Sequence, residues 1–380
     1  MKKYFIIAIA ALVAGTACSK VETIDSDDQA ISFNVVDYST ATRADQEGKN
    51  SLITEGYRSF KTWAWIHPEG NATGATFMNG ETVSYDATNK EWAPSHPYFW
   101  PKNTASYINF FSVAGTQLTP NPTVAEGSVT YTGATIGTTD NILIADAAYR
   151  YNANVKPATY GFDEVAEGVP TLFHHMLSQV YFDVVLDASG VKDTKYKFTA
   201  TISKAEVTYA NKGNLSISFT DSGSKGQATI PSTAKWTDQS GTGKIEKESG
   251  NIVLNVTANE AGTAKSDTTK LIDWKTVLPQ TLGTVATTDP AAAATGNVKF
   301  SLTYKIKTEY GTDFNYEEEI KVEDVLLTAF SNAITSWDMN YKYIYHITIK
   351  AVGGERILFD PAVVTWETYP TKPSYTVPAE

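Results

Sequence analysis

From residue 31 onward, apolar and polar residues keep trading places along the chain. Ile31, Phe33 and Val35 alternate with Ser32 and Asn34, and Phe60, Thr62, Ala64 and Ile66 oppose Lys61, Trp63 and Trp65. Val180, Phe182, Val184 and Leu186 repeat the pattern, as do Leu215, Ile217 and Phe219, and Ile252, Leu254 and Val256. The clearest runs are Val298, Phe300, Leu302, Tyr304 and Ile306, set against Lys299, Ser301, Thr303 and Lys305, and then Tyr343, Tyr345, Ile347 and Ile349. A two-residue period with one apolar face predicts half-buried strands in antiparallel sheets. Residues 107–113 and 142–145 are instead short, nearly continuous apolar runs.

Clusters of Gly, Asn, Asp, Pro and Thr punctuate these runs, for example Asn71-Ala72-Thr73-Gly74 and Thr287-Thr288-Asp289-Pro290. They supply the positive and fixed φ angles that turns require. Residues 323–333 fit either a short helix or a strand, and no long segment after the N-terminus has helical periodicity. Many short strands with turn-rich spacers predict an all-β fold of the sandwich kind. A stretch rich in Gly, Pro and acid at 159–170 places a domain boundary near residue 167. The expected division is a signal peptide at 1–17, a tether with one strand at 18–45, an N-terminal domain at 46–167 and a C-terminal domain at 168–380.

The N-terminus is of another kind. Lys2 and Lys3 precede an apolar run from Tyr4 to Ala14, followed by Gly15, Thr16 and Ala17. That order of charge, apolar stretch and small residues predicts an export signal, and the run is too short to span a bilayer. Cys18 follows at once and is the chain's only cysteine, so no disulfide can form within the chain. Gly15-Thr16-Ala17-Cys18 resembles a lipobox, with Gly15 where leucine usually stands. Cys18 is therefore expected to carry the lipid (palmitate included) of a bacterial lipoprotein. Asp25-Ser26-Asp27-Asp28 reads as an acidic tether.

Of the 380 residues, 42% are hydrophobic and 12% aromatic, which predicts an ordered chain. The net charge of -11 argues against nucleic acid as a partner. No phosphate loop, dinucleotide fingerprint, zinc-protease helix or nucleophile elbow is present, so neither an enzyme nor a cofactor is expected. Gly241-Thr242-Gly243-Lys244 reads as a hairpin turn. His174 and His175 are adjacent, so on a strand they face opposite ways and do not chelate one ion together. Glu317, Glu318 and Glu319 read as a solvated strand end. Trp63, Trp65, Trp92, Tyr98, Phe99 and Trp100 either fill a core or offer a stacking platform for sugars.

Taken in order, several motifs resemble the fimbrillin family of Bacteroidota, the subunits of type V pili. They include Ala41-Thr42-Arg43-Ala44 after the first strand, Phe60-Lys61-Thr62-Trp63-Ala64-Trp65, and Thr76-Phe77-Met78-Asn79-Gly80. Tyr98-Phe99-Trp100-Pro101, Ile108-Asn109-Phe110-Phe111-Ser112 and Asp140-Asn141-Ile142-Leu143-Ile144-Ala145 follow. Phe173-His174-His175-Met176-Leu177-Ser178-Gln179-Val180 comes next, then Trp337, Tyr341-Lys342-Tyr343-Ile344-Tyr345, Ile357-Leu358-Phe359-Asp360-Pro361 and Trp366.

The resemblance implies two transthyretin-like, Greek-key β-sandwich domains in tandem. It also implies export as a lipoprotein to the outer membrane and cell surface, cleavage after an arginine, and polymerisation by strand exchange into a fimbrium. Arg43 and Ala44 match the processing position. Ile31, Phe33 and Val35 would form the removable strand. Ile357, Phe359, Val363, Val364 and Trp366, within a donor segment at about 355–380, would replace it in a neighbouring subunit. The expected partners are other fimbrial subunits by β-strand addition, the membrane through the lipid on Cys18 before processing, and host or bacterial surface ligands. The alternative expectation is a cell-surface glycan-binding lipoprotein of similar fold.

Overall fold

Alternating residues become strands throughout the described chain, and each apolar face settles against one of three buried clusters. The computed structural model describes residues 30–36, 51–54, 56–71, 73–101, 106–151, 168–219, 227–228, 230–231, 233–283, 298–312, 314–329, 334–353 and 357–366. The signal peptide, Cys18, the acidic tether, Arg43, Ala44 and residues 367–380 lie outside them.

The first half begins with β1 (Phe33–Val36), a four-residue helix α1 (Ser51–Thr54) and strands β2 (Ser59–His67), β3 (Ala75–Asp86) and β4 (Glu91–Pro94). It continues with β5 (Tyr107–Gly115), β6 (Thr123–Ala125), β7 (Ser128–Thr135), β8 (Ile142–Ala145), β9 (Ala147–Tyr151) and β10 (Val169–His175). Their pairing closes on itself. β5 pairs with β2, β2 with β3, β3 with β4, β4 with β1, β1 with β10 and β10 with β8, and β8 returns to β5. The ring encloses Ile31, Phe33, Phe60, Met78, Trp92, Phe110, Leu143 and Phe173.

The continuous apolar runs now have a cause. In β5, Ile108, Phe110 and Ala114 face the ring interior, whereas Phe111 and Val113 belong to a second cluster outside it. β8 does the same, with Leu143 and Ala145 inward and Ile142 and Ile144 outward. A strand covered on both faces has no polar side to show.

The ring closes at Gly115, paired with Ile142, where Thr116 N–H also donates to the Asn141 carbonyl at 2.7 Å. Gly115 has φ +98°, and a Cβ there would stand 2.1 Å from the Asn141 carbonyl oxygen. Gly115→Ala is therefore expected to lose more than about 1 kcal/mol of stability, read as a lowered urea midpoint.

The second half opens with β11 (Ser178–Asp187), β12 (Tyr196–Tyr209), β13 (Lys212–Ser218), β14 (Gln227–Ala228) and β15 (Trp236–Ser240). β16 (Gly243–Glu246), β17 (Ile252–Thr257), β18 (Thr269–Val277), β19 (Gln280–Thr281) and β20 (Lys299–Tyr310) follow. The last are β21 (Phe314–Leu326), β22 (Ser336–Trp337), β23 (Tyr341–Lys350) and β24 (Ile357–Thr365). One sheet runs β18-β11-β23-β24 and another β16-β12-β20-β21, with β17 also on β12. Between them lies the largest cluster, including Phe182, Phe198, Phe300, Tyr304 and Trp337.

The halves are not cleanly separated at residue 167. β10, which begins just past that point, belongs to the first ring through β1 and β8. β13 of the second half pairs with β7 of the first from Lys212 opposite Thr135 to Ser218 opposite Ser128. The turn at 241–244 is also no hairpin. It joins β15, paired with β13, to β16, paired with β12, and so turns a corner between two sheets. Residues 323–329 combine the two readings of that stretch: β21 runs to Leu326 and a single 3-10 turn, Leu327–Ala329, follows.

Candidate functional site

β1 supplies one stave of the ring. It lies parallel to β10, with Phe33 opposite Val169, Asn34 opposite Pro170, Val35 opposite Thr171 and Val36 opposite Leu172. On its other side it is antiparallel to β4 through a single pair, Phe33 opposite Trp92. Ile31, Phe33 and Val35 are 2%, 3% and 6% exposed, so the predicted alternation places all three side chains inside. The Phe33 ring meets Phe60 at 5.5 Å and Phe110 at 5.7 Å, both edge-on. Backbone bonds secure its start: Ile31 N–H donates to the Tyr98 carbonyl at 2.7 Å and Val169 N–H to the Ser32 carbonyl at 2.8 Å.

Of two further features of this slot, Gly168 was not singled out in the sequence and Trp92 was noted only within a cluster of aromatics. Gly168 lies so close to β1 that a Cβ would stand 3.0 Å from Asn34 N. Trp92, Phe33's partner across the β4 side, is 3% exposed, and its buried indole N–H has no acceptor among the described residues. A glycine just before an apolar run, and a tryptophan amid polar residues, were the available signals. The rim is braced by Glu81, which accepts from Ser95 Oγ–H and from Tyr98 O–H at 3.3 Å. Burial acts to raise the Glu81 carboxyl, but bonds from Ser95 and His96 prevail and hold it below its usual range.

The expected donor residues occupy the opposite end of the chain. Ile357, Phe359, Val363 and Val364 lie in β24, which pairs with β23 from Ile357 opposite Ile349 to Thr365 opposite Tyr341. β24 is the outer strand of its sheet. Leu358 and Val363 are 41% and 37% exposed, while Trp366 is 2% exposed. The Trp366 ring stacks on His175 of β10 at 4.1 Å, and the backbone N–H of Trp366 donates to the Asn340 carbonyl at 2.8 Å. Lys342 Nζ stands over both Trp366 and Trp274, at 5.7 and 5.6 Å. A sequence echo also links the two ends, since Ile357-Leu358-Phe359-Asp360 repeats the spacing of Ile31-Ser32-Phe33-Asn34.

Charge ties the inner strands β11 and β23 of this sheet together. One register row reads Lys270, Asp183, His346 and Asp360 across β18, β11, β23 and β24. His346 Nδ1 lies 2.8 Å from Asp183 Oδ1, and that bond, helped by Asp360, raises the imidazole above its ordinary 6.5 against the pull of desolvation. Near the far end, burial acts to raise the Asp187 carboxyl. Hydrogen bonds from Lys350 at 2.7 Å and from Ser189 outweigh it and bring the group down to about 2.

The signs differ. Asp187 stabilises the fold above its free value of 3.8, and this is lost as pH falls toward about 2; after screening it amounts to at most about 2 kcal/mol. His346 stabilises fully below 6.5 and loses that contribution as pH rises through its raised folded value. Thermal melts from pH 2 to 9 are expected to flatten on the acid side in Asp187→Asn and on the neutral side in His346→Asn.

The five histidines are each engaged in packing or pairing. His67 meets Glu126, which also accepts from Asn109 Nδ2 at 2.9 Å. His96 lies 3.2 Å from Glu81, and His174 lies 3.0 Å from the buried Asp146. His175 meets Asn141 at 2.9 Å, and His346 pairs with Asp183. His174 and His175 do face different neighbours. Among the described residues, no three metal-ligating side chains converge. Trp92 and Trp100 are buried in the ring, and Trp63 and Trp65 pack partly buried against the second cluster. The aromatics first considered as a sugar platform are thus largely used in packing.

No family model and no curated protein matches the chain. Similar solved structures do exist. A candidate cell adhesion protein from Bacteroides uniformis is 13% identical with a TM-score of 0.40, over 90% of this chain and 100% of that one. Another from Parabacteroides distasonis is 10% identical with a TM-score of 0.38, over 81% and 94%. The fimbrial anchor protein Mfa2 from Porphyromonas gingivalis is 8% identical with a TM-score of 0.27, over 82% and 91%.

Proposed function

We propose that this chain is a structural, adhesive subunit of a surface fimbrium, exported as a lipoprotein and assembled by proteolysis-triggered β-strand exchange. Lipid on Cys18 would hold it at the outer membrane until cleavage between Arg43 and Ala44 releases it. A segment around Ile357, Phe359, Val363, Val364 and Trp366 of one copy would then fill the seat of Ile31, Phe33 and Val35 in the next. No catalytic role is assigned.

The carrying observation is that β1 is a stave of a closed ring, with residues 37–50 between it and α1. Magnitudes favour exchange. Burying Ile31, Phe33 and Val35 contributes roughly 5–9 kcal/mol. Ordering residues 30–36 costs about 7–14 kcal/mol at 1–2 per residue. With its ladder bonds added, the seat holds β1 by only a small surplus, and covalent attachment supplies an effective concentration that a cut would abolish. An incoming strand finds unpaired backbone on both β4 and β10 and an apolar trough between them. The Ile-x-Phe spacing shared by residues 31–33 and 357–359 fits that trough.

The test is to digest the full chain with an arginine-specific protease, verify the cut at Arg43, and follow size by chromatography and electron microscopy. A ladder of head-to-tail oligomers is expected, with Arg43→Ala remaining monomeric. Cut chains that stay monomeric at high concentration would defeat the proposal.

A further inference from the structure

We infer that Pro361 fixes the register of the exchanging strand: Ile357, Phe359 and Pro361 of a second copy take the places of Ile31, Phe33 and Val35, and no other alignment is accepted. This rests on the strand-exchange reading and adds to it how the incoming strand is aligned.

Backbone groups along β1 turn alternately to its two neighbours. Ser32 accepts from Val169 N–H at 2.8 Å, and Gly168 crowds the Asn34 nitrogen, so positions 32 and 34 bond β10. Positions 31 and 33 bond the other side: Ile31 N–H donates to the Tyr98 carbonyl at 2.7 Å, and Phe33 stands directly opposite Trp92. With its N–H turned to β4, Phe33 forms with Trp92 the kind of antiparallel pair that exchanges both backbone bonds. Val35 comes next on that side, and there the ladder has ended. The residue two before Trp92 is Lys90, which precedes β4 and turns the chain at φ +55°. Among the described residues, no strand pair opposes Val35 on the β4 side. Position 35 is thus the inward-facing position of the seat that asks for no N–H.

β24 carries its proline at the matching place. Ile357-Leu358-Phe359-Asp360-Pro361 aligns with Ile31-Ser32-Phe33-Asn34-Val35, and proline is close to valine in apolar size. The bonding sides match too. The backbone N–H of Trp366 donates to the Asn340 carbonyl, continuing the register of Thr365 opposite Tyr341, so even-numbered positions of β24 bond β23. Ile357, Phe359 and Pro361 turn their backbone to the open edge of the sheet, where a proline loses no ladder bond. In the seat, that edge meets the Tyr98 and Trp92 carbonyls through Ile357 and Phe359, and no acceptor through Pro361. A slip of one residue turns the apolar face outward. A slip of two one way sets Pro361 opposite the Trp92 carbonyl, with no N–H to give it. A slip of two the other way takes Phe359 out of the place between Phe60 and Phe110.

The experiment uses the full chain cut at Arg43 and fluorescent, acetylated peptides of residues 357–365. The peptides compared are native, native with a methyl on the Phe359 amide nitrogen, Pro361→Val, and Pro361→Val with a methyl on that valine's nitrogen. The native peptide is expected to displace β1. Methylation at Phe359 is expected to weaken binding about tenfold, because it leaves the Trp92 carbonyl unpaired. The two valine peptides are expected to bind within about twofold of each other, since position 35 offers the restored N–H no acceptor. A loss of about tenfold on methylating the valine, or none on methylating Phe359, overturns the register while exchange itself stands. If none of these peptides binds although one of residues 28–36 exchanges, β24 is not the replacement strand, and the strand-exchange reading falls together with the register.

Discussion

Phe33→Ala is expected to unseat β1. The ring is 3% exposed between Phe60 and Phe110, and removing it from a packed core costs about 3–5 kcal/mol. That exceeds the small surplus holding the strand, so the change should appear as local opening rather than global unfolding. Hydrogen exchange would then accelerate at the amides of the β10 residues paired with β1, those of Val169, Thr171 and Leu172, while β12 and β20 keep their protection. An arginine-specific protease would also cut the variant faster at Arg43. Half-buried Asn34 supplies the control, since Asn34→Ser should stay within about 0.5 kcal/mol. Equal protection in wild type and Phe33→Ala would mean that β1 is not held by its inward side chains.

The second large effect is expected at Trp366→Ala. This side chain belongs to the same cluster as Phe111, Tyr131, Met176, Leu215, Trp236 and Leu278, which come from both halves. Truncating a buried tryptophan costs about 3–5 kcal/mol, and here it also removes the stack on His175. Urea unfolding should shift to a lower midpoint, and the end of β24 should become sensitive to carboxypeptidase. Should the midpoint stay fixed while protease sensitivity rises, Trp366 would anchor only its own strand and not the junction of the halves.

Strands were legible wherever one face meets water and the other a core. The rows Val298 to Ile306 and Tyr343 to Ile349 are buried in the register the alternation predicts, because alternation is itself the imprint of one-sided burial. The ring was not legible. Its closure depends on β8 returning to β5 and on β1 lying beside β10, and those are pairings between distant residues that no local pattern encodes. The boundary near 167 was drawn from composition, which marks a linker but not the sheet that the following strand joins. The turn at 241–244 was read as a hairpin because glycine reports permissive backbone, not which strands the turn serves. For the seat, alternation revealed Ile31, Phe33 and Val35. It could not reveal that Trp92 stands opposite Phe33, a pairing between distant residues.

β1 is parallel to one neighbour and antiparallel to the other. A vacated seat therefore distinguishes the two ends of whatever fills it, because a reversed strand would meet the wrong ladder on both sides at once. Under the strand-exchange proposal, a fibre grown by refilling this gap would have a polarity: every subunit would point the same way, and its two tips would be chemically different ends, one offering an empty seat and the other an unused strand.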